Sequence, residues 1–303
     1  MRSIDTAKEL KGEAIQLADE KGQPEEAIAK LKDGIALIKN DQAHNNELAE
    51  IQHLIAMISL NLEDTDQAWE YFSEALKTNN GKNIKLSNRC NLNLGLLSYR
   101  DEEYKGAIKI FGKVKGTEGL NPIQVDMYYT MMGVSYLRLE KYRRALKYLF
   151  KALEYPYEDD RNFEVLHHLG STYYYMKDYK NALKYYEASI NKKPDQSEGF
   201  KQLTLLRMAY LYMYKEEYEK AIQLCEEIEQ KQDINIKLDN LYITRGRCHS
   251  RLSQVMQALK YFEKAWELKD ELTEGWRDRI KQWLIDYYTK VGNQERVSEL
   301  EAS

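Results

Sequence analysis

The sequence predicts an all-α protein, a right-handed superhelical solenoid of about seven helical hairpins followed by a C-terminal capping helix. Three observations support this prediction. An alanine returns at a nearly constant interval, a small residue precedes each alanine by 12 or 13 positions, and apolar residues recur at helical spacing around both. A fixed period of this kind indicates stacked units, each too small to bury its own apolar face alone.

Seven alanines mark the units, and successive alanines are 41, 39, 38, 37, 39 and 37 residues apart. They are Ala27, Ala68, Ala107, Ala145, Ala182, Ala221 and Ala258. The small residues before them are Ala14, Ala56, Gly95, Gly133, Gly170, Ala209 and Gly246. A larger side chain at either position would push two neighbouring helices apart, so each pair predicts where the helices of one hairpin are in close contact.

A large residue completes each unit four positions after the alanine. It is aromatic or aliphatic in six units, and Cys225 takes this position in the remaining one. Only two residues, Glu140-Lys141, separate the two helices of the central unit, which is enough for a tight antiparallel turn and no more. We expect hairpins over residues 4–40, 46–79, 86–116, 122–156, 161–194, 199–231 and 236–270. With a cap over residues 273–303, they form one domain spanning residues 1–303.

The unit resembles the tetratricopeptide repeat, in which a small residue precedes a tyrosine and an alanine precedes an aromatic residue. The motif appears here as Gly133-x2-Tyr136 followed by Ala145-x3-Leu149-x2-Ala152. It appears again as Gly170-x2-Tyr173 followed by Ala182-x3-Tyr186, and the matches extend over about residues 8–290. The period exceeds the family's 34 residues by about four, and the proline that ends the motif is mostly absent. The resemblance implies an array that binds other polypeptides.

The longer unit is also similar to the repeats of the peptide-pheromone receptors of Gram-positive bacteria, the Rap, PlcR and NprR class. Those receptors carry an effector part before the repeats, whereas the first repeat of this chain begins near Lys8. The resemblance therefore implies a ligand-binding array without an output domain. No DNA-binding or phosphatase activity is expected from it.

Helical angles predict a groove on the first helices of the five central units, where six positions in each unit turn away from the partner helix. These thirty positions hold six arginines and no lysine, although the whole chain contains 14 arginines and 31 lysines. Arginine pairs with carboxylates through a planar fork and stacks on aromatic rings, whereas lysine is a strongly hydrated point charge. The bias favours a peptide ligand that carries acidic groups or a free carboxyl terminus.

The candidate peptide-binding residues combine these arginines with tyrosine, asparagine, histidine and serine from the same positions. They are Arg89, Asn93, Tyr99, Arg100, Arg138, His167, Ser171, Tyr174, Arg207, Tyr210, Tyr214, Asn240, Arg247 and Arg251. A structural interpretation stays open beside this one. Inner faces of solenoids are partly buried, which excludes lysine for packing reasons alone, and the arginines could pair with acids of adjacent helices.

Composition argues against several classes of function. The net charge of −4 and the lack of a basic stripe argue against a nucleic-acid partner. No stretch approaches the roughly 20 apolar residues that cross a bilayer, so no membrane partner is expected. Three scattered cysteines and an N-terminal segment without an apolar core favour a cytoplasmic protein.

The sequence predicts no enzyme activity, no cofactor and no metal ion. His167 and His168 are adjacent on a helix and point about 100° apart, so they need a third ligand to hold a metal. Residues 112–116 lack the spacing of a phosphate-binding loop. The predicted function is non-catalytic binding of a peptide or protein segment, as in a receptor for a signalling peptide. The alternative is a constitutive scaffold that assembles a complex through its convex face or loops.

Overall fold

The chain folds into helical hairpins in a computed structural model that describes residues 2–155, 162–191, 198–231 and 236–302. These residues form sixteen α-helices and two short 3₁₀ helices, Gln42–His44 and Lys269–Glu271, and they contain no strand. They belong to two compact units, Met1–Glu158 (unit 1) and Asp159–Ser303 (unit 2). The predicted all-α class is confirmed.

Each unit consists of helices that pair with their neighbours in sequence. Unit 1 contains α1 (Arg2–Asp19), α2 (Pro24–Ile38), α3 (Asn45–Asn61), α4 (Thr65–Asn79), α5 (Ile84–Arg100), α6 (Tyr104–Phe111), α7 (Pro122–Arg138) and α8 (Tyr142–Leu153). Unit 2 contains α9 (Asn162–Tyr175), α10 (Tyr179–Asn191), α11 (Glu198–Tyr214), α12 (Tyr218–Glu229), α13 (Leu238–Arg251), α14 (Val255–Glu267), α15 (Glu274–Val291) and α16 (Gln294–Ala302). The odd-numbered helix is the first helix of each hairpin.

The glycines of the repeat are required by the large residue on the second helix. A Cβ added at Gly133 would lie 2.6 Å from Leu149 Cγ, and one added at Gly170 would lie 2.5 Å from Tyr186 Cδ1. Both distances are shorter than real Cβ contacts, so either helix would have to move. The partner of the small residue is thus the side chain four positions after the alanine. The seven alanines themselves are fully buried.

Each turn inside a hairpin contains one residue with a left-handed backbone conformation. Gly22 occupies this position in the first hairpin with a φ of 62°, and six non-glycine residues occupy it in the next six, with φ between 58° and 64°. They are Glu63, Glu102, Glu140, Lys177, Glu216 and Ser253. In the central turn the N–H of Lys141 donates to the carbonyl of Tyr136 at 2.9 Å, which is the helix-ending bond of a Schellman motif. The same turn geometry therefore repeats along both units.

Buried side chains join each hairpin to the next within a unit. In unit 2, Leu205, Cys225 and Leu241 come from three consecutive helices and belong to one apolar cluster. At the C-terminal end, Ile280 and Leu284 of α15 pack in the same cluster as Phe262 of α14. The last hairpin thus covers an apolar face that α13 and α14 would otherwise leave exposed.

Candidate functional site

The first helices of unit 2 line a pocket with a volume of about 570 Å³. This size falls within the range of known ligand pockets, roughly 300–1,000 Å³. Its walls come from α9, α11, α13 and α15, together with the residues just before α13. The lining residues are Tyr174, Gly199, Phe200, Leu203, Leu206, Arg207, Tyr210, Ile236, Lys237, Asn240, Thr244 and Trp276. Four of the predicted binding residues, Tyr174, Arg207, Tyr210 and Asn240, therefore meet here.

A second pocket of about 160 Å³ adjoins the first. Its lining residues are Met213, Tyr214, Glu216, Tyr218, Arg247 and Arg251. Tyr210 lines the larger pocket and Tyr214 the smaller one, and their hydroxyl oxygens are 3.1 Å apart. Their rings also meet edge to face, with centroids 4.9 Å apart. This tyrosine pair is the wall between the two pockets.

The arginines of the two pockets lie against aromatic rings. The Arg207 guanidinium carbon is 6.0 Å from the centroid of the Tyr174 ring, and that of Arg247 is 5.9 Å from the Tyr214 ring. Such contacts orient a guanidinium without neutralising its charge. Among the described residues, no carboxylate lies within 4.0 Å of the charged nitrogens of Arg207, Arg247 or Arg251. Among the described residues that line the two pockets, Glu216 is the one carboxylate, so cationic side chains outnumber acids in this part of the lining.

The tyrosines of the site have shifted pKa values. Burial, reinforced by the neighbouring Tyr210, raises the pKa of Tyr174. Burial and the hydrogen bond to Tyr214 raise the pKa of Tyr210. The hydrogen bond from Tyr210, and then the Arg247 guanidinium, lower the pKa of Tyr214. Tyr174 therefore keeps its hydroxyl proton at neutral pH and can donate a hydrogen bond to an anion, whereas the Tyr210 hydroxyl already donates to Tyr214.

Two predicted binding residues, His167 and Ser171, are buried behind the pocket wall, with 4% and 8% of their surface exposed. The Thr204 hydroxyl donates to the carbonyl of Phe200 at 2.7 Å, so it accepts from His167 Nδ1, also at 2.7 Å. His167 Nε2 is then the acceptor that faces Ser171 Oγ at 3.4 Å, and Ser171 Oγ lies 3.1 Å from the Tyr186 hydroxyl. These two residues support the wall from behind and do not line the pocket.

Burial keeps His167 neutral within this chain of hydrogen bonds. The pKa of His167 is held well below its usual value by desolvation, and then by the charges of His168 and Arg207. A neutral ring has one donor and one acceptor nitrogen, which is what Thr204 and Ser171 require. The His167 side chain therefore has a structural role. Its ring lies nearly perpendicular to that of His168, with the two ring centroids 5.5 Å apart.

The predicted residues of unit 1 have different surroundings. Arg89 pairs with Glu50 at 3.1 Å, and the Asn93 amide donates to the Arg89 carbonyl, also at 3.1 Å. The Tyr99 ring meets Tyr104 edge to face at 5.6 Å, while Arg100 and Arg138 are exposed. At Arg89 the structural interpretation, pairing with an acid of an adjacent helix, applies. Because the fourteen residues belong to two units, one groove that joins them all stays a prediction.

Part of the larger pocket lies outside the predicted groove positions. Phe200 and Lys237 each lie nine positions before the small residue of their unit, one helical turn beyond the positions that were assigned to the groove. At 100° per residue, the position nine before the small residue points about 180° away from it, just outside the face that the groove positions share, and Lys237 precedes the first residue of α13. The helical angle therefore predicts neither residue. Trp276 belongs to the segment that was assigned to the cap. Lys237 is an exposed lysine, so the described lining of the larger pocket contains a lysine as well as Arg207.

Neither a metal-binding cluster nor a membrane-spanning helix is present in the part of the chain that the structure describes. No group of three or more histidine, cysteine, aspartate or glutamate side chains there could hold a metal ion. Within the same ranges, no helix has both the length and the apolar character to cross a membrane. The three cysteines, Cys90, Cys225 and Cys248, are buried free thiols whose pKa values are raised by burial.

Hairpins of this geometry define the class of proteins built from tetratricopeptide repeats, and a tetratricopeptide repeat family model matches residues 163–196. A second family model, described as "Soluble NSF attachment protein, SNAP", matches residues 2–173. That match covers more than half of the chain, and the chain belongs to this family. The predicted tetratricopeptide-repeat class is confirmed, whereas the similarity to the pheromone receptors stays a prediction.

Solved structures show the same fold at low sequence identity. A tetratricopeptide repeat protein from Parabacteroides merdae is 17% identical, with a TM-score of 0.55 over 92% of this chain and 98% of that one. A signal transduction ATPase with a tetratricopeptide repeat sensor, from Pyrococcus horikoshii, is 16% identical, with a TM-score of 0.66 over 97% of this chain and 44% of that one. PilF from Pseudomonas aeruginosa is 16% identical, with a TM-score of 0.53 over 76% of this chain and 93% of that one.

No curated protein matches the sequence. At these identities the structural likeness establishes the fold alone. The two family matches identify the chain as a protein-interaction or scaffold module.

Proposed function

We propose that unit 2 binds an extended segment of another polypeptide that carries acidic groups or a free carboxyl terminus, and that it does so without catalysis. One observation carries this proposal. Arg207, Arg247 and Arg251 line two adjoining pockets, and among the described residues no carboxylate lies within ion-pairing distance of them. A carboxylate of a bound segment would supply the missing negative charge.

The neighbouring side chains suit a peptide ligand. An arginine fork can hold a carboxylate through two parallel hydrogen bonds. Tyr174 and Tyr210 offer large contact areas with few rotors to immobilise, and Tyr214 is 53% exposed. Asn240 is exposed on α13 at the pocket, where its amide can bond the backbone of an extended segment.

Isothermal titration with an acidic synthetic peptide tests the proposal. The double variant Arg207→Ala, Arg247→Ala should bind the peptide at least about tenfold more weakly than the parent, because each guanidinium lost removes a charge-assisted hydrogen bond. Raising the salt concentration should weaken binding to the parent more than binding to the variant.

The matched control is the double variant Lys180→Ala, Lys260→Ala. It removes the same net charge from exposed positions on the second helices α10 and α14, and it should change the affinity by less than about twofold. Equal weakening in both variants would mean that only overall charge matters, and this would overturn the proposed site. The melting temperatures of both variants must match that of the parent.

The biological form of this function is a cytoplasmic regulator that senses a signalling peptide. A ligand in the larger pocket contacts α9, α11, α13 and α15 at once, and it can bias how these helices pack on one another. Such a change within unit 2 would alter the surface that the unit presents to a further protein.

A constitutive adaptor is the second candidate. It is favoured by the family match over residues 2–173, which contains residues 2–158 of unit 1 and whose description is that of an attachment protein. In unit 1, moreover, Arg89 is already paired with Glu50. An adaptor of this kind should still bind its natural partner when it carries Arg207→Ala and Arg247→Ala, whereas a peptide receptor with the same substitutions should no longer bind its ligand.

A further inference from the structure

We infer that the larger pocket of unit 2 is an anchor subsite for one large apolar side chain of the bound segment, next to an anion subsite formed by Arg247 and Arg251. This rests on the proposed function and narrows its ligand class. The expected ligand is a segment in which an apolar side chain and a carboxylate are close neighbours, rather than a continuous run of acids.

The apolar part of the larger pocket comes from separate elements. Phe200 and Leu203 lie on α11, Ile236 lies before α13, and Trp276 lies on α15. All four side chains are half-buried, so each still exposes apolar surface to the cavity. An apolar side chain of the ligand that covers this surface removes both the apolar surface of the pocket and its own from water.

The charged residues of the pocket determine which ligand residues can lie beside the apolar anchor. Arg207 and Lys237 are among the lining residues, and the described lining of this pocket contains no acid. A segment with acidic residues beside its apolar anchor is therefore complementary to the pocket. A segment with basic residues at those places is repelled.

The wall between the subsites fixes their spacing. Tyr210 lines the larger pocket, Tyr214 lines the smaller one, and the two are one helical turn apart on α11. One turn rises about 5.4 Å, and an extended segment advances about 3.3 Å per residue. The carboxylate should therefore follow or precede the anchor by one or two residues.

A pair of matched peptides tests the inference. Acetyl-Glu-Ala-Leu-Ala-Glu and acetyl-Glu-Ala-Ala-Ala-Glu have the same length and charge and differ only at the central residue. In titration calorimetry the leucine peptide should bind the parent on the order of tenfold more tightly, because its side chain is taken out of water.

Two variants assign that preference to the pocket. Leu203→Trp, which fills the cavity, should reduce the preference for the leucine peptide to less than about threefold and leave the alanine peptide unchanged. The double variant Arg247→Ala, Arg251→Ala should weaken the binding of both peptides by the same factor, so the preference for the leucine peptide is preserved.

The outcomes separate this inference from the proposed function. Equal affinity of the two peptides for the parent would overturn the anchor subsite and leave the proposed function standing. Failure of both peptides to bind would overturn the proposed function, and the anchor subsite with it. An equal loss for both peptides in Leu203→Trp would overturn the assignment of the anchor to this pocket.

Discussion

The arginines at the pockets of unit 2 differ in their environment from the buried Arg245 of the same unit. Arg245 is buried between Glu226 and Glu229 and lies 4.3 Å from the centroid of the Tyr261 ring. Its charge is balanced inside the fold, so it holds α12, α13 and α14 together. Arg207 and Arg247 have the aromatic contact without the acids. This difference separates a structural arginine from one that can bind a ligand.

The hydrogen-bonded chain behind the pocket leads to a stability prediction. Thr204→Val removes the acceptor of His167 Nδ1 and leaves a buried N–H without a partner. We expect a loss of about 1–3 kcal/mol in the free energy of unfolding, measured by urea denaturation.

Thr172→Val is the matched control for that substitution. Thr172 is equally buried, but its hydroxyl donates only to the carbonyl of His168 in its own helix. Its removal should change the free energy of unfolding by less than about 0.5 kcal/mol, because that carbonyl keeps its helical bond. Equal losses in the two variants would show that the chain through His167 adds no stability.

At the scale of the helical hairpin, the small residue of the first helix faces the side chain four positions after the alanine of the second helix. Four units place a glycine against Phe111, Leu149, Tyr186 or Phe262, and in each the glycine has no room for a Cβ. The unit with Ala209 instead carries Cys225, and both are fully buried. In this unit one extra methyl group on the first helix accompanies a smaller side chain on the second, whereas the units with Ala14 and Ala56 keep the large Leu31 and Phe72.

This compensation can be transferred to the central hairpin. Gly133→Ala alone should destabilise the protein by about 1–3 kcal/mol through overpacking, and Leu149→Cys alone by about 2 kcal/mol through a cavity. The double variant should be more stable than the sum of the two losses implies, by about 1 kcal/mol or more, in a urea denaturation cycle. Additive losses would contradict the size relation between the two positions.

Sequence periodicity predicts the hairpins because packing inside one hairpin is local. The alanine, the small residue and the large residue lie within one unit, and their spacing in sequence reflects their contacts directly. The left-handed turns carry no such signal, since Glu140 and Lys177 stand where glycine is the usual residue. Repeated pairing of neighbouring helices holds these turns in a conformation that their residue types do not favour.

The candidate site could be predicted only in part, because a helical angle shows where a side chain points and not what covers it. The angle selected Tyr174, Arg207 and Tyr210, which line one pocket. It also selected His167, which Phe200 and the following turn of α11 cover. Contacts between different hairpins decide such cases, and one unit of sequence does not contain them.

At the scale of the whole molecule, the net charge of the chain is opposite in sign to the charge around the pockets of unit 2. The overall charge is −4, yet the pockets of unit 2 have more cationic than acidic lining residues. In unit 1, Arg89 is neutralised by Glu50. A mildly acidic protein can therefore attract an anionic segment to one place, because local charge and not net charge decides short-range pairing.

Hydrogen–deuterium exchange with and without the acidic leucine peptide locates the binding surface on the intact chain. Slower exchange is expected in α9, α11 and α13 of unit 2, which carry the arginines and tyrosines of both pockets. Exchange in α3 and α5 of unit 1 should be unchanged. Protection confined to unit 1, with α11 and α13 exchanging at the same rate in both states, would contradict the assignment of the peptide site to unit 2.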